Sequence, residues 1–319
     1  AKVALGMTHR FETAASICSR VGGAWLPSGQ CEALLDQMAH NGAILKRGGA
    51  DQAVYALVPF VVGMFEFQLT RLTPELYEEA ARYFREAFGL AYLSTAVPQM
   101  RVIPVEQSVN ETQHIATYDE IRRIIEQAEG KIGVAHCICR KGKDLAGDPC
   151  RATRRREVCF GFRDYFDTYK REGWFREVTK QEALEILAES EKAGLVLQAT
   201  NEQQPQAVCA CCGCCCGVLN TLKNVPNRAD FVAANYRSKI DVQHCIGCGL
   251  CADRCHMDAI SIVEKTAVID SKKCIGCGVC VPACKKQGAI FLEPKPTPVV
   301  PPESTEALYD RIMAGRGRL

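Results

Sequence analysis

Two runs near the C-terminus carry residues that can do chemistry. They are Cys245-Ile246-Gly247-Cys248-Gly249-Leu250-Cys251-Ala252-Asp253-Arg254-Cys255 and Cys274-Ile275-Gly276-Cys277-Gly278-Val279-Cys280-Val281-Pro282-Ala283-Cys284. Both read C-x2-C-x2-C-x3-C, a spacing suited to holding [4Fe-4S] clusters. Three thiolates two residues apart wrap one face of a cubane within a tight loop, and the fourth turns away to reach the twin. The spacing therefore groups Cys245, Cys248, Cys251 and Cys284 around one cluster, and Cys274, Cys277, Cys280 and Cys255 around the other. Gly247, Gly249, Gly276 and Gly278 let backbone N–H groups approach the sulfurs, and Ile246 and Ile275 can keep water off. Zinc sites favour two ligand pairs across a longer spacer. A disulfide framework suits a small secreted chain.

With these residues, the stretch 237–294 resembles bacterial-type two-cluster ferredoxins. It departs from them after each fourth cysteine, where His256 and Lys285 stand in place of the family's proline. Either side chain could supply a hydrogen bond or positive charge to a cluster and raise its potential.

Ten further cysteines occupy the middle of the chain: Cys137, Cys139, Cys150 and Cys159, then Cys209, Cys211, Cys212, Cys214, Cys215 and Cys216. Six cysteines in eight positions cannot be ordinary core packing, and adjacent cysteines tend to point apart, so a Cys-Cys pair suits two centres. Ten thiolates suffice for two more cubanes, making four. One more cubane with free thiols, a zinc site or a non-cubane cluster also fits. The winged-helix start, Pro59 to Gly63, His136 to Arg140, Cys211 to Cys216 and the ferredoxin repeat together resemble a family of multi-cluster iron–sulfur proteins from anaerobic metabolism. That resemblance implies architecture and electron transfer. Cys211-Cys212-Gly213 is similar to the CCG motif of heterodisulfide-reductase-type subunits, without its partner spacing. Arg140, Lys141, Lys143, Arg151 and Arg154 to Arg156 surround the first four cysteines, as a solvated face or as compensation for cluster charge.

The elements that must position these residues read as an α+β chain in five parts. Residues 1–58 carry a helix, turn, helix and hairpin pattern that looks winged-helix-like, with helices over 11–21 and from Pro27 to Ala39 and strands over 43–47 and 52–57. Cys18 and Cys31 read as buried apolar thiols. Residues 59–130 form a helical connector. Thr73-Pro74 opens a helix that Gly89 stops, and Tyr77, Tyr83, Phe84 and Phe88 read as core. Thr117 to Ala128 is helical. Residues 131–236 form a central cysteine-rich α/β domain, with strands over 131–135 and 195–199, a helix over 160–171 and a capped helix from Thr179. Residues 237–294 are the ferredoxin-like two-cluster part. Residues 295–319 are a Pro-rich tail with a short helix over 304–314.

The chain has 319 residues, a formal charge of +2 and 20 cysteines. Cluster thiolates add negative charge, so net charge gives no support for nucleic-acid or membrane binding. The expected DNA-reading helix contains Glu32 and Asp36 and no Lys or Arg; only Lys46 and Arg47 near the wing suit phosphate. Val54 to Phe67 is too short and interrupted to span a bilayer. No signal peptide, P-loop, dinucleotide fingerprint or placeable Ser–His–Asp set is read, so no catalytic residue and no small-molecule substrate is assigned. The expectation is a cytoplasmic electron carrier, a non-catalytic subunit of a larger anaerobic oxidoreductase or a donor to one, with redox proteins as partners. The alternative is an iron–sulfur redox-sensing regulator acting through the winged helix.

Overall fold

The computed structural model describes residues 2–21, 26, 28–49, 52–95, 97–109, 116–286 and 288–316. Gly22-Gly23, Trp25, Pro27, Ala50-Asp51 and the last three residues of the basic end lie outside them.

At the N-terminus, α1 (Lys2–Leu5) leads to β1 (Glu12–Thr13), α2 (Ala14–Val21), α3 (Ser28–His40), β2 (Ile44–Arg47) and β3 (Val54–Leu57). The strands form an antiparallel sheet in the order β1-β3-β2. Ile17, Cys18 and Val21 recur on one face of α2 and pack with Cys31, Leu35, Ile44 and Tyr55. Cys18 and Cys31 are joined as a disulfide, which corrects their reading as free thiols: the two facing helices bring the sulfurs together. The two cations near the hairpin are both engaged. Lys46 Nζ is 2.6 Å from Asp36 Oδ1, and Arg47 pairs with Asp164.

Next, α4 (Pro74–Tyr83) starts as its sequence dictates, with Thr73 Oγ1 accepting from the Leu76 amide at 3.2 Å. It does not stop at Gly89. The chain stays helical through Phe84–Phe88 into α5 (Gly89–Leu93), because Phe88 and Tyr92 bury themselves in the main core.

The central part is one antiparallel sheet. Its strands are β4 (Met100–Ile103), β5 (Ile132–His136), β6 (Glu157–Gly161), β7 (Arg176–Val178), β8 (Val196–Thr200) and β9 (Ala207–Cys211), in the order β4-β8-β9-β6-β5-β7. Between them run α6 (Ile121–Glu126), α7 (Ile138–Leu145), α8 (Arg163–Arg171) and α9 (Lys180–Lys192). The expected helix from Phe160 is shorter, because Val158 and Phe160 alternate inward as strand residues and α8 begins only after Phe162. Arg101 on β4 pairs with Asp119, both nearly fully buried, and Asn235 Nδ2 donates to the same carboxylate at 2.6 Å.

After α10 (Gly217–Lys223), β10 (Tyr236–Ile240) pairs with the much later β13 (Ile290–Pro294), closing a loop that contains α11 (Leu250–Arg254) and the hairpin β11 (Ile260–Val263) and β12 (Thr266–Ile269). The tail helix α12 (Thr305–Arg316) docks rather than dangling. Asp310 accepts from Arg10 Nη2 at 2.5 Å, and buried Glu202 accepts from Thr305 Oγ1 at 2.5 Å. Among the described residues, no helix is long and apolar enough to cross a membrane.

Candidate metal centre

The ten central cysteines fall into two groups, and local strand and turn geometry decides which thiol goes where. Cys159 on β6 faces Cys209 on β9 in direct register. Cys209 and Cys211 lie two residues apart on one strand and so share a face. Cys137 ends the segment leaving β5 and precedes α7, whose first turn presents Cys139; Cys216 stands just before α10. These six close a ring of thiol neighbours in the order Cys137, Cys139, Cys216, Cys211, Cys209, Cys159 and back to Cys137. They line a chamber whose walls also include Val61, Val62, Glu66, Phe84, Met100, Arg140 and Gln198, with Cys212 and Cys215 at its border with the second group.

The remaining four, Cys150, Cys212, Cys214 and Cys215, form a tetrad whose sulfurs all lie within 4.8 Å of one another. Adjacent cysteines divide between the groups: Cys211 faces the ring and Cys212 the tetrad, Cys216 the ring and Cys215 the tetrad. A tight turn enforces this, with the Cys212 carbonyl accepting from the amides of Cys215 (3.3 Å) and Cys216 (3.0 Å).

The close thiol contacts hold three of these cysteines low, while their neighbours and burial push Cys139, Cys159, Cys209, Cys211, Cys212 and Cys215 up. Contacts from Cys139 and Cys159 hold Cys137 well below the usual thiol range, and contacts from Cys139 and Cys211 do the same for Cys216. Gln198 Nε2 donates to Cys216 Sγ at 3.6 Å. Contacts from Cys212 and Cys215 hold Cys150 far down. Arg140 is fully buried, not part of a solvated face. Its Nη2 donates to the Ala210 carbonyl at 3.0 Å, while Nε and Nη1 are buried without a hydrogen-bond partner. Burial alone would lower its pKa, but the charges of Cys137, Cys212 and Cys150 raise it above its ordinary value. Of the other basic residues nearby, Lys143 pairs with Asp148, Arg155 with Glu189 and Arg156 with Asp144, while Arg151 and Arg154 are exposed. Glu66, whose Oε2 accepts from the Gly63 amide at 2.7 Å, is pushed up to about 8 by burial. Val61 and Val62 belong to the Pro59 to Gly63 segment singled out from the sequence, whereas Glu66 and Gln198, which also line the chamber, were not. Phe84, read there as core, lines it too.

In the C-terminal part, Cys245, Cys248, Cys251 and Cys284 line one chamber with Gly247 and Gly249. Cys255, Cys274, Cys277 and Cys280 sense one another's charge around a second position. Gly247 and Gly276 sit at φ +65° and +70°, and a Cβ on either would come within 2.1 Å of a backbone carbonyl oxygen, so these turns require glycine. The sulfurs find amide donors: Ala259 N to Cys255 and Ala267 N to Cys245, each at 3.4 Å. Thiols, glycine turns and amide donors together fit iron–sulfur clusters.

Ile275 is buried, and Ile246 lines the first chamber with its outer side 55 % exposed. His256 Nε2 donates to the Gly194 carbonyl at 2.7 Å, and burial lowers its pKa from the ordinary value. Lys285 is exposed.

Residues 244–289 match the family model of the 4Fe-4S dicluster domain. The C-terminal part is therefore an iron–sulfur domain that carries 4Fe-4S clusters. A comparison with curated proteins found no match to the chain. The match and the cysteine groups together make this an iron–sulfur protein, with electron transfer as the chemistry they support.

Proposed function

We propose that the chain relays electrons between a redox partner protein and a central iron–sulfur centre, as a subunit of, or donor to, a larger anaerobic oxidoreductase. The observation that carries this reading is the continuity of sites from surface to interior. Cys248 is exposed beside half-exposed Ile246, which leaves one edge of the C-terminal part open to a partner. At its other edge, residues 254–258 are clamped onto the central part. Arg228 Nη1 donates to the Met257 carbonyl at 2.5 Å, and Lys223 Nζ lies 3.5 Å from Asp258. A Cβ on Gly213 would come 2.7 Å from the His256 carbonyl oxygen, so the Cys255 segment touches the turn that carries Cys212 and Cys214.

Bound clusters supply one-electron chemistry at low potential. The residues do the rest. Cys245, Cys248, Cys251 and Cys284 hold the outer cluster, and Cys274, Cys277, Cys280 and Cys255 the inner one. Cys137, Cys139, Cys159, Cys209, Cys211 and Cys216 hold a further cluster in the chamber. Amide and Gln198 donors disperse thiolate charge, and the Val61, Val62, Phe84 and Met100 wall excludes water.

The N-terminal part, read as winged-helix-like, serves as a protein-docking module in this account. The engagement of Lys46 by Asp36 and Arg47 by Asp164 supports docking over phosphate contact. The reading is tested by iron and acid-labile sulfide per chain after anaerobic purification, with EPR on stepwise reduction. The expected result is more than the ~8 irons of a two-cluster domain and a signal beyond the ferredoxin pair. About 8 irons and only that pair would remove the central relay.

A further inference from the structure

The tetrad has the wrong dimensions for a cubane. Cys150 Sγ lies 3.6 Å from Cys212 Sγ and 3.8 Å from Cys214 Sγ; Cys214 Sγ lies 3.4 Å from Cys212 Sγ and 3.6 Å from Cys215 Sγ. Four thiolates around one ion with metal–sulfur bonds of about 2.3 Å form a tetrahedron of edge about 3.8 Å. In a cubane each thiolate binds its own iron, so the thiolate tetrahedron is wider by the iron–iron spacing. The C-terminal cysteines give the contrast within one chain. Among the described residues, no three of those eight sulfurs come within 4.8 Å of one another, whereas all four of the tetrad do.

We propose that Cys150, Cys212, Cys214 and Cys215 bind a single tetrahedral divalent ion of the zinc or ferrous class, beside the six-thiol chamber and separate from any cluster in it.

Charge and position agree. Four thiolates in mutual contact repel unless a cation stands between them, and one divalent ion leaves the site with two negative charges. Arg140, 0 % exposed and with two N–H-bearing nitrogens lacking a hydrogen-bond partner, answers part of that charge from inside the core. A closed four-sulfur site with no open position is structural in kind. It ties the loop bearing Cys150 to the turn bearing Cys212 to Cys215, and that turn presents Cys211 and Cys216 to the chamber. The ten central cysteines thus divide as one four-sulfur ion site and one six-sulfur cluster site, and the inference holds whether or not the chamber is loaded.

The test is metal analysis of the full chain, purified anaerobically, with X-ray absorption at the zinc edge and Mössbauer spectra for iron. The expected result is about one zinc per chain with four sulfur neighbours at about 2.3 Å and no metal neighbour, or an isolated tetrathiolate iron in the same amount. Cys214→Ser should then lose that ion and keep the ferredoxin EPR signals. Should this variant fail to fold, the wild-type spectra still decide. Zinc bound through nitrogen or oxygen, absence of both zinc and isolated iron, or loss of four irons and one cluster signal in Cys214→Ser would each overturn the proposal.

Discussion

At the residue scale, the cysteines were legible because thiolate ligation of a cluster is a short-range pattern, written in gaps of two and three residues. What surrounds them was not. Glu66, Gln198 and Phe84 reach the six-thiol chamber from three separate segments, and nothing local in the sequence marks them. Cys18 and Cys31 misled because a buried thiol and half of a disulfide have the same helical periodicity. Arg140 was one of seven basic residues until the fold buried it. Replacing it with Met should leave the tetrad's negative charge uncompensated, so that the variant loses the tetrad ion to a chelator faster than the wild type, as read by metal release. The left-handed turn at Gly276 allows a sharper prediction. Gly276→Ala meets both the conformational penalty and the Tyr236 carbonyl oxygen at 2.1 Å, a strain of ~1–3 kcal/mol. It should reduce the iron held by Cys274, Cys277, Cys280 and Cys255 while sparing the outer site.

At the element scale, helices with capping signals were readable and the sheet was only half so. Thr73 and Thr179 cap helices as their sequences dictate, and β5 and β8 are short, mostly apolar runs. β6, β7 and β9 were missed because cysteines and charged residues interrupt their alternation and their partners are distant. The Arg101–Asp119 pair shows how the sheet is fastened to the segment before β10. Burial drives Arg101 down and Asp119 up, so each depends on the other to stay charged. Arg101→Met strands a buried carboxylate and should destabilise the central part by about 3–5 kcal/mol, measurable by chemical denaturation. Glu202 gives a pH dependence of folding. Burial raises its carboxyl above its ordinary 4.5, so the folded chain binds a proton that the unfolded one gives up. This contribution to stability is fully present below about pH 4.5 and is lost as pH rises through the raised value. Chemical denaturation across pH should follow that course, and Glu202→Gln should flatten it.

At the scale of the whole molecule, the attachment of the parts was not visible in the sequence, and the stretch read as a helical connector gives β4 to the central sheet. Contacts from Arg254, His256, Met257 and Asp258 hold the C-terminal part against the central one, and these residues carry no signal of partnership in a single sequence. The N-terminal part is fastened by Arg47 to α8 and by Arg10 to α12. With its two candidate phosphate-binding cations occupied, duplex DNA should bind weakly and without sequence preference at physiological salt, as read by titration across salt concentrations. Electrons entering at the exposed Cys248 edge should reach the centre of the chain. The direct measurement is rapid mixing with less than one equivalent of a reduced electron-donor protein, freeze-quenched and followed by EPR. The dicluster signals should appear first and decline as a distinct central signal grows. Dicluster signals that persist while the central thiol chamber never takes an electron would contradict the relay.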